Sequence, residues 1–214
     1  MVRTLRRRAF AAAAVLSAIA GFVDGIGFVS LGGYFVSFMS GNTTRASVAL
    51  AHSEWGGAAL ALLLIVSFVV GVMGGTLIPS GRMRSATGVL VLVTVMVAVA
   101  AAGLTIGWTI AGGAALAFAM GAMNTVFARG GEVGFGITYM TGALVKLGQG
   151  IVTAFRGGSR TGWVRHAVLW ASIGIGAAGG ALAYSVAGAA ALWVLAAVML
   201  VALALPQARR WLHD

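Results

Sequence analysis

Few side chains in this 214-residue chain could do chemistry, and the charged ones among them stand inside long apolar or semi-polar runs. Asp24 lies within an apolar run, where a carboxylate costs at least about 2.5 kcal/mol on insertion scales and therefore needs a partner, water or a proton. Arg45 follows in the same half of the chain and is the obvious partner. Lys146 has no matching acid, so one acid against two cations predicts a positively charged centre that holds an anion or a small polar molecule.

The polar residues around these charges complete a candidate substrate-binding site. Glycine lets a backbone turn or approach closely, and free amide groups at a broken helix can bind an anion. The alternative is that Asp24 and Arg45 form a structural ion pair and that the small polar residues pack helices together. The candidate binding residues are Asp24, Ser40, Asn42, Thr43, Arg45, Asn124, Thr141 and Lys146.

The sequence shows no catalytic or metal-ligating pattern. It has no cysteine and only four acids, and His52, His166 and His213 are far apart. No nucleophile elbow, phosphate loop or acid pair of catalytic spacing is present. We therefore expect a protein that is not an enzyme and that uses no metal or other cofactor.

The composition is that of a membrane protein. Sixty per cent of the residues are hydrophobic and 8% are charged, whereas soluble domains carry about 25% charged residues. The net charge is +10, but the arginines lie in short loops between apolar runs. This distribution is required by membrane topology, so we expect a lipid bilayer as partner and no nucleic acid.

The segments predict an all-α, polytopic helix bundle. A hydrocarbon core about 30 Å thick needs about 20 apolar residues. Two segments, Tyr34–Ala51 and Phe135–Phe155, are long enough but contain a polar centre and a cation. Six others fit a crossing well: Ala9–Val29, Ala58–Ile78, Thr87–Ile106, Thr109–Ala128, Ala167–Ala187 and Gly188–Leu205.

The loop arginines favour six crossing helices and two re-entrant segments. If the two polar segments enter and leave on one side, every loop arginine falls on the cytoplasmic side, together with both termini. If all eight segments cross, Arg82, Arg84 and Arg129 fall outside. The eight-crossing arrangement, with Arg45 and Lys146 snorkelling or paired, is the alternative.

The chain matches itself after a shift of about 100 residues, which predicts two repeats, 1–107 and 108–214, within one membrane domain. Arg45 falls over Lys146 in this register. Three crossings per repeat would invert the second repeat, whereas four would leave the repeats parallel. The N-terminal arginines and alanines also resemble a signal peptide, but the repeat needs this helix. The matched groups are Gly21–Asp24 over Gly121–Asn124, Met39–Gly41 over Met140–Gly142, and Gly71 and Gly75 over Gly176 and Gly180.

These groups resemble the YoaK-like family of multi-pass bacterial membrane proteins of unknown function. The resemblance rests on Gly21–Phe28, on Phe35 with Met39–Thr43, and on Gly121, Asn124 and Thr141–Leu144. Members typically carry Gln where this chain has Met123, so a role of that Gln in binding would not carry over. The resemblance implies a bacterial cell (inner) membrane and supplies no substrate.

We therefore expect a small transporter or permease for a small polar or anionic solute. A non-transporting membrane assembly or signalling protein is the alternative. Glycine pairs spaced by four predict close helix contacts, either within the chain or in a homo-oligomer. These pairs are Gly71 with Gly75, Gly103 with Gly107, and Gly176 with Gly180.

Overall fold

The computed structural model describes residues 7–78, 84–129, 132–133, 138 and 140–205. Nearly all of this part of the chain is helical, as expected. Two short strands, β1 (Ala128–Arg129) and β2 (Glu132–Val133), pair antiparallel. The helices are α1 (Arg7–Ser30), α2 (Met39–Ala51), α3 (Trp55–Leu77), α4 (Arg84–Thr105), α5 (Thr109–Met123), α6 (Met140–Phe155), α7 (Val164–Ala187) and α8 (Ala190–Ala204).

Four helices, α1, α3, α4 and α7, are long and apolar enough to cross a membrane. Their bounds differ from the expected segments by no more than three residues at either end. Ala and Leu favour the helix, and in a bilayer every backbone polar group must be satisfied within the segment. The polytopic helical bundle is therefore confirmed in its coarse form.

Helices α5 and α8 are shorter than the segments expected for them, with 15 residues each. At 1.5 Å per residue this is about 22 Å, less than the hydrocarbon core. The α5 helix ends where the Asn124 side chain donates back to the carbonyl oxygen of Met120, at 2.9 Å. The α8 helix starts late because Gly188 takes a positive φ of 56° and ends α7 there.

The strongest helix contact joins α1 with α7, and the two helices run in the same direction. Gly21 lies against the backbone of Ile173, and Gly25 lies against the backbone of Ala177. Residue numbers therefore rise together along both helices. The helices approach this closely because glycine has no side chain to separate the two backbones.

A second close pair joins α3 with α5, again in the same direction. Gly71 lies against the carbonyl group of Phe118, and Gly75 lies against Ala122. The contacts expected for Gly71 with Gly75 and for Gly176 with Gly180 thus form inside one chain, whereas Gly107 lies beyond the end of α4 and has nothing within 4 Å of the position of a Cβ. The Gly71–Gly75 and Gly176–Gly180 faces are occupied within the chain, so they do not offer the oligomer surface that was the other interpretation.

Helices α1 and α5 run in opposite directions. Leu31, just beyond α1, packs against Gly113 near the start of α5. Phe127, just beyond α5, packs against the cluster of Ala13 and Leu169 near the starts of α1 and α7. Because α3 runs with α5, it also runs opposite to α1. We call the end of the bundle where α1 starts the near end and the other the far end.

Each polar segment therefore begins and ends at the same end of the bundle, the first at the far end and the second at the near end. Residues 31–54 link the far end of α1 to α3, which starts at the far end. Within this segment α2 forms a tight hairpin with α3, in which Ala49 contacts Gly57 and Ser53 takes a φ of 59°. In the same way α5 ends, and α7 starts, at the near end.

Helices α4 and α8 close the bundle beside α5. Gly103 lies against Gly112 across the α4–α5 turn. The indole nitrogen of Trp193 in α8 donates to Thr105 Oγ1 at 3.2 Å, which places the start of α8 at the end of α4. The fully buried core of the bundle draws on α1, α3, α5 and α8 and includes Ile26, Leu64, Leu116, Met120 and Leu192.

Candidate functional site

Asp24 anchors the non-helical stretch that precedes α2. Its Oδ1 accepts hydrogen bonds from the backbone N–H groups of Val36 and Ser37, both at 2.8 Å. Asp24 lies on α1 two turns before the helix ends, so these bonds pull the chain back along α1 after it has left that helix. A carboxylate accepting two backbone N–H groups forms charge-assisted bonds, which are roughly twice as strong as neutral ones.

Asn42 fixes the same stretch from the other side. Its side chain is fully buried on the first turns of α2. Asn42 Oδ1 accepts from the Phe35 N–H at 3.0 Å, and its Nδ2 donates to the Phe35 carbonyl oxygen at 2.6 Å. This two-bond clamp satisfies both backbone groups of a residue that no helix could satisfy.

Arg45 does not form the expected pair with Asp24. Its guanidinium carbon lies 4.1 Å from the centre of the Tyr34 ring, a cation–π contact, and its Nη1 lies beside Gly33. In the described part of the chain no ion pair joins Arg45 to Asp24. The interpretation of Asp24 and Arg45 as a structural ion pair is therefore wrong. Asp24 accepts hydrogen bonds from backbone N–H groups, and the Arg45 guanidinium lies over the Tyr34 ring.

Ser40 and Thr43 lie on the outer face of α2 and are exposed, as is the neighbouring Thr44. The Thr43 hydroxyl donates to the Met39 carbonyl oxygen at 2.9 Å, and the Thr44 hydroxyl donates to that of Ser40 at 3.2 Å. These hydroxyls are satisfied by their own helix and turn away from Asp24.

Asn124 plays in the second half the anchoring part that Asp24 plays in the first. Its Oδ1 accepts from the Thr138 N–H at 3.3 Å, and its Nδ2 donates to Thr138 Oγ1 at 3.1 Å. Thr138 lies shortly before α6, as Val36 and Ser37 lie shortly before α2. This anchor is neutral and longer than the Asp24 bonds, so it is the weaker of the two.

Lys146 and Thr141 lie on α6 and are both exposed. Residues 135–137 and 139 of the expected polar segment lie outside the described residues. The structure thus brings Asp24 and Asn42 together around residues 35–37. It does not gather Arg45 and Lys146 with them into one cationic centre.

The two anchors lie at similar depths. The antiparallel contacts of α1 and α5 place Gly21 and Gly121 at about the same level in the bundle. Asp24 and Asn124 follow three residues later, about 4.5 Å beyond that level in opposite directions. Each anchor therefore holds the start of a polar helix close to the middle of the bundle.

Sequence reasoning missed the partners of Asp24, Asn42 and Asn124: Phe35, Val36, Ser37 and Thr138. Phe35 and Val36 contribute only backbone groups, which leave no signal in the residue type. The Tyr34–Arg45 contact was also missed, although an aromatic residue beside a cation in an apolar chain could have indicated it.

Residues 12–205 match the family described as "Protein of unknown function (DUF1275)". The chain belongs to this family. The resemblance to a multi-pass membrane family of unknown function is therefore confirmed.

A named relative is similar to this chain over nearly all of its length. It is the UPF0700 transmembrane protein RA0705 of Rhizobium meliloti (strain 1021), with 42% identity over 215 residues, 98% of this chain and 93% of the relative. No solved structure matches the chain. Together with the four long apolar helices, these findings make the protein a multi-pass transmembrane protein.

Proposed function

We propose that the protein is a small transporter or permease for a small polar or anionic solute, built as two inverted repeats. One observation carries the proposal: the first polar segment begins and ends at the far end of the bundle, and the second begins and ends at the near end. In a bilayer, residues 31–54 would enter from the far side and the segment before α7 from the near side. Non-helical backbone at membrane depth is tolerated only where protein buries it or water reaches it.

The inverted repeat is supported by contacts that recur in the predicted register. Gly71 meets Phe118 in the α3–α5 pair, and Gly176 meets Ala18 in the α1–α7 pair. In the predicted repeat register Gly71 corresponds to Gly176, and Ala18 corresponds to Phe118. Because α1 and α5 run in opposite directions, the operation that relates the two pairs reverses the chain direction.

The same register relates two further contacts. Gly121 lies against the backbone of Phe68, and Gly21 against that of Ile173. Six crossings then follow if α5 and α8 cross together with their flanking residues, and all loop arginines fall on the near side. We accordingly assign the near end, with both termini, to the cytoplasm and the membrane to the bacterial cell (inner) membrane.

The repeat plan supports transport because inverted repeats place a binding site where their broken segments meet, near the bilayer midplane. Asp24 and Asn124 lie close to that level from opposite sides. The two halves differ in charge there, which gives the two polar segments unequal anchors. Loosening the two segments would therefore cost different free energies, so one segment could open while the other stays closed.

The proposal is tested with the purified protein in liposomes. Swelling is followed by light scattering in inward gradients of glycerol, urea or potassium formate, the last with valinomycin present. Liposomes with an unrelated multi-pass protein are the control. We expect at least one solute to enter faster than in the control; equal rates for all three would contradict a permease for small polar or anionic solutes.

A second candidate, a membrane assembly protein, is favoured by the exposed polar residues of the two polar helices, α2 and α6. Ser40, Thr43 and Thr44 on α2 and Lys146 on α6 are exposed. A partner helix would cover such residues better than lipid does. In this case the protein would co-purify with a stoichiometric membrane partner, and the liposomes would show no solute entry.

A further inference from the structure

Ser17 has the one buried side-chain polar atom without a hydrogen-bond partner among the side chains that the structure describes. Its side chain is 0% exposed, and the adjoining Leu16, Ala20 and Val23 belong to the main core. Helical Ser and Thr residues usually donate to the carbonyl oxygen one turn earlier, as Thr94 does to Leu90 at 2.7 Å. An unsatisfied hydroxyl in a core needs an explanation, because it has lost its hydrogen bonds to water and gained none from the protein.

The position of Ser17 is central. It lies four residues before Gly21, about 6 Å from the level at which α1 and α5 match. Asp24 follows Ser17 by seven residues, which puts both on one face of α1 two turns apart. In the predicted repeat register the counterpart of Ser17 is Ala117, which is also 0% exposed. A methyl group therefore fits the equivalent position, and packing alone does not require the hydroxyl.

We propose that the Ser17 hydroxyl binds the transported solute at the centre of the bundle, and that this solute is neutral. The inference rests on the proposed transport function and names the solute class. A hydroxyl both donates and accepts, so it suits a hydroxyl or amide group of a small molecule. An anion would need a cation, yet Arg45 lies over Tyr34 and Lys146 is exposed. Because Ser17 is buried here, the solute reaches it only when the helices part.

The test compares Ser17→Ala with Ser185→Ala in the liposome swelling assay. Ser185 is a matched control, because it is exposed on α7 and its hydroxyl donates to the Ala181 carbonyl oxygen at 2.9 Å. We expect glycerol or urea to enter through the wild-type protein and formate not to. Losing one neutral hydrogen bond corresponds to roughly a three- to tenfold lower rate for Ser17→Ala. Ser185→Ala should keep the wild-type rate.

A stability measurement separates loss of binding from loss of folding. Removing an unsatisfied hydroxyl costs no hydrogen bond, so Ser17→Ala should melt at the wild-type temperature or above it. Ser17→Cys gives a second readout, because the described chain has no cysteine. We expect methyl methanethiosulfonate to modify that variant slowly, and the permeating solute to slow the reaction further.

Each outcome is decisive. Wild-type entry rates in Ser17→Ala would overturn the inference and leave the transport function standing. Entry of formate alone would also overturn it, because the solute would then be an anion. If no solute enters through the wild-type protein, the proposed function itself fails, and this inference fails with it.

Discussion

The bonds from Asp24 to the backbone of residues 36 and 37 predict how three variants should rank in stability. Asp24→Asn keeps an oxygen that can accept both N–H groups, removes the charge and replaces the second carboxylate oxygen with an NH2 group. Asp24→Ala removes the acceptor and leaves the N–H groups of Val36 and Ser37 unsatisfied in a buried region. Comparing Ala with Asn therefore isolates the two lost hydrogen bonds from the cost of burying a carboxylate.

The size of this difference follows from the structure. Each orphaned buried N–H costs about 1–3 kcal/mol, so two cost about 2–6 kcal/mol. For a chain of this length, one kcal/mol shifts Tm by roughly 2–4 °C. We expect Asp24→Ala to melt at least about 4 °C below Asp24→Asn in detergent. Asn124→Ala should lose less, about 1–2 kcal/mol, because its bond to the Thr138 N–H is neutral and 3.3 Å long.

Melting curves of the purified full-length variants, followed by intrinsic tryptophan fluorescence, check this ranking. If Asp24→Ala and Asp24→Asn melt within about 1 °C of each other, Asp24 does not anchor the segment and the reasoning is refuted. The same variants report on function. Loss of solute entry in a stable Asp24→Asn protein would show that transport needs the charge, and unchanged entry would assign Asp24 an anchoring role alone.

Three further predictions follow from the packing, the topology and the cation–π contact. Gly180→Ala places a methyl group against the Phe22 carbonyl oxygen, so overpacking should lower the free energy of unfolding by about 1–3 kcal/mol. In Gly174→Ala the methyl group meets nothing within 4 Å, so that variant should be as stable as the wild type or more stable. Equal Tm values for the two variants would contradict the close α1–α7 contact. Ser53→Cys, at the α2–α3 turn, should react with a membrane-impermeant maleimide added outside the cell. Gly158→Cys, before α7, should react only after the cells are opened. Labelling of both variants from one side would contradict opposed re-entrant segments. Arg45→Ala should lower the free energy of unfolding by about 0.5–2 kcal/mol through loss of the Tyr34 contact. In a double-mutant cycle, the same change made in a Tyr34→Leu protein should cost much less. The same cost in both proteins would refute the contact.

The long helices could be predicted from the sequence because apolar length is a direct physical requirement of the bilayer. Apolar runs do not specify where a helix stops, so α5 was expected to reach Ala128 although it ends at Met123. At this end the Asn124 side chain donates to the carbonyl oxygen of Met120 and also hydrogen-bonds Thr138, 14 residues further on, and the second contact cannot be read from an apolar run. The polar start of α2 could likewise be located, but its anchoring by Asp24 could not.

The expected pairing of Asp24 with Arg45 was wrong, and the candidate binding site stays a prediction. An intramembrane acid was expected to meet the nearest cation, because opposite charges attract. Backbone N–H groups of a non-helical segment also need hydrogen-bond acceptors, and the hydrocarbon core of a bilayer offers no water to accept from them. The carboxylate therefore serves residues 36 and 37, and Arg45 is left to Tyr34. A pattern of residue types cannot show this competition, because one competitor is the main chain.

The glycines also explain why the two halves of the chain depend on each other. Helix α1 of the first half packs along α7 of the second, and α5 of the second packs along α3 of the first. Gly25 and Gly176 serve the first pair, and Gly71 and Gly121 serve the second. A half expressed alone would leave every one of these close-packing faces without its partner, and in a bilayer lipid replaces a closely fitted backbone poorly. The interlocked pairs thus join the two halves of the chain in a single folding unit. The polar helices α2 and α6 pack on the outside of that unit, and one anchor, Asp24 or Asn124, holds the stretch before each of them at mid-depth in the bundle; the two anchors differ in strength.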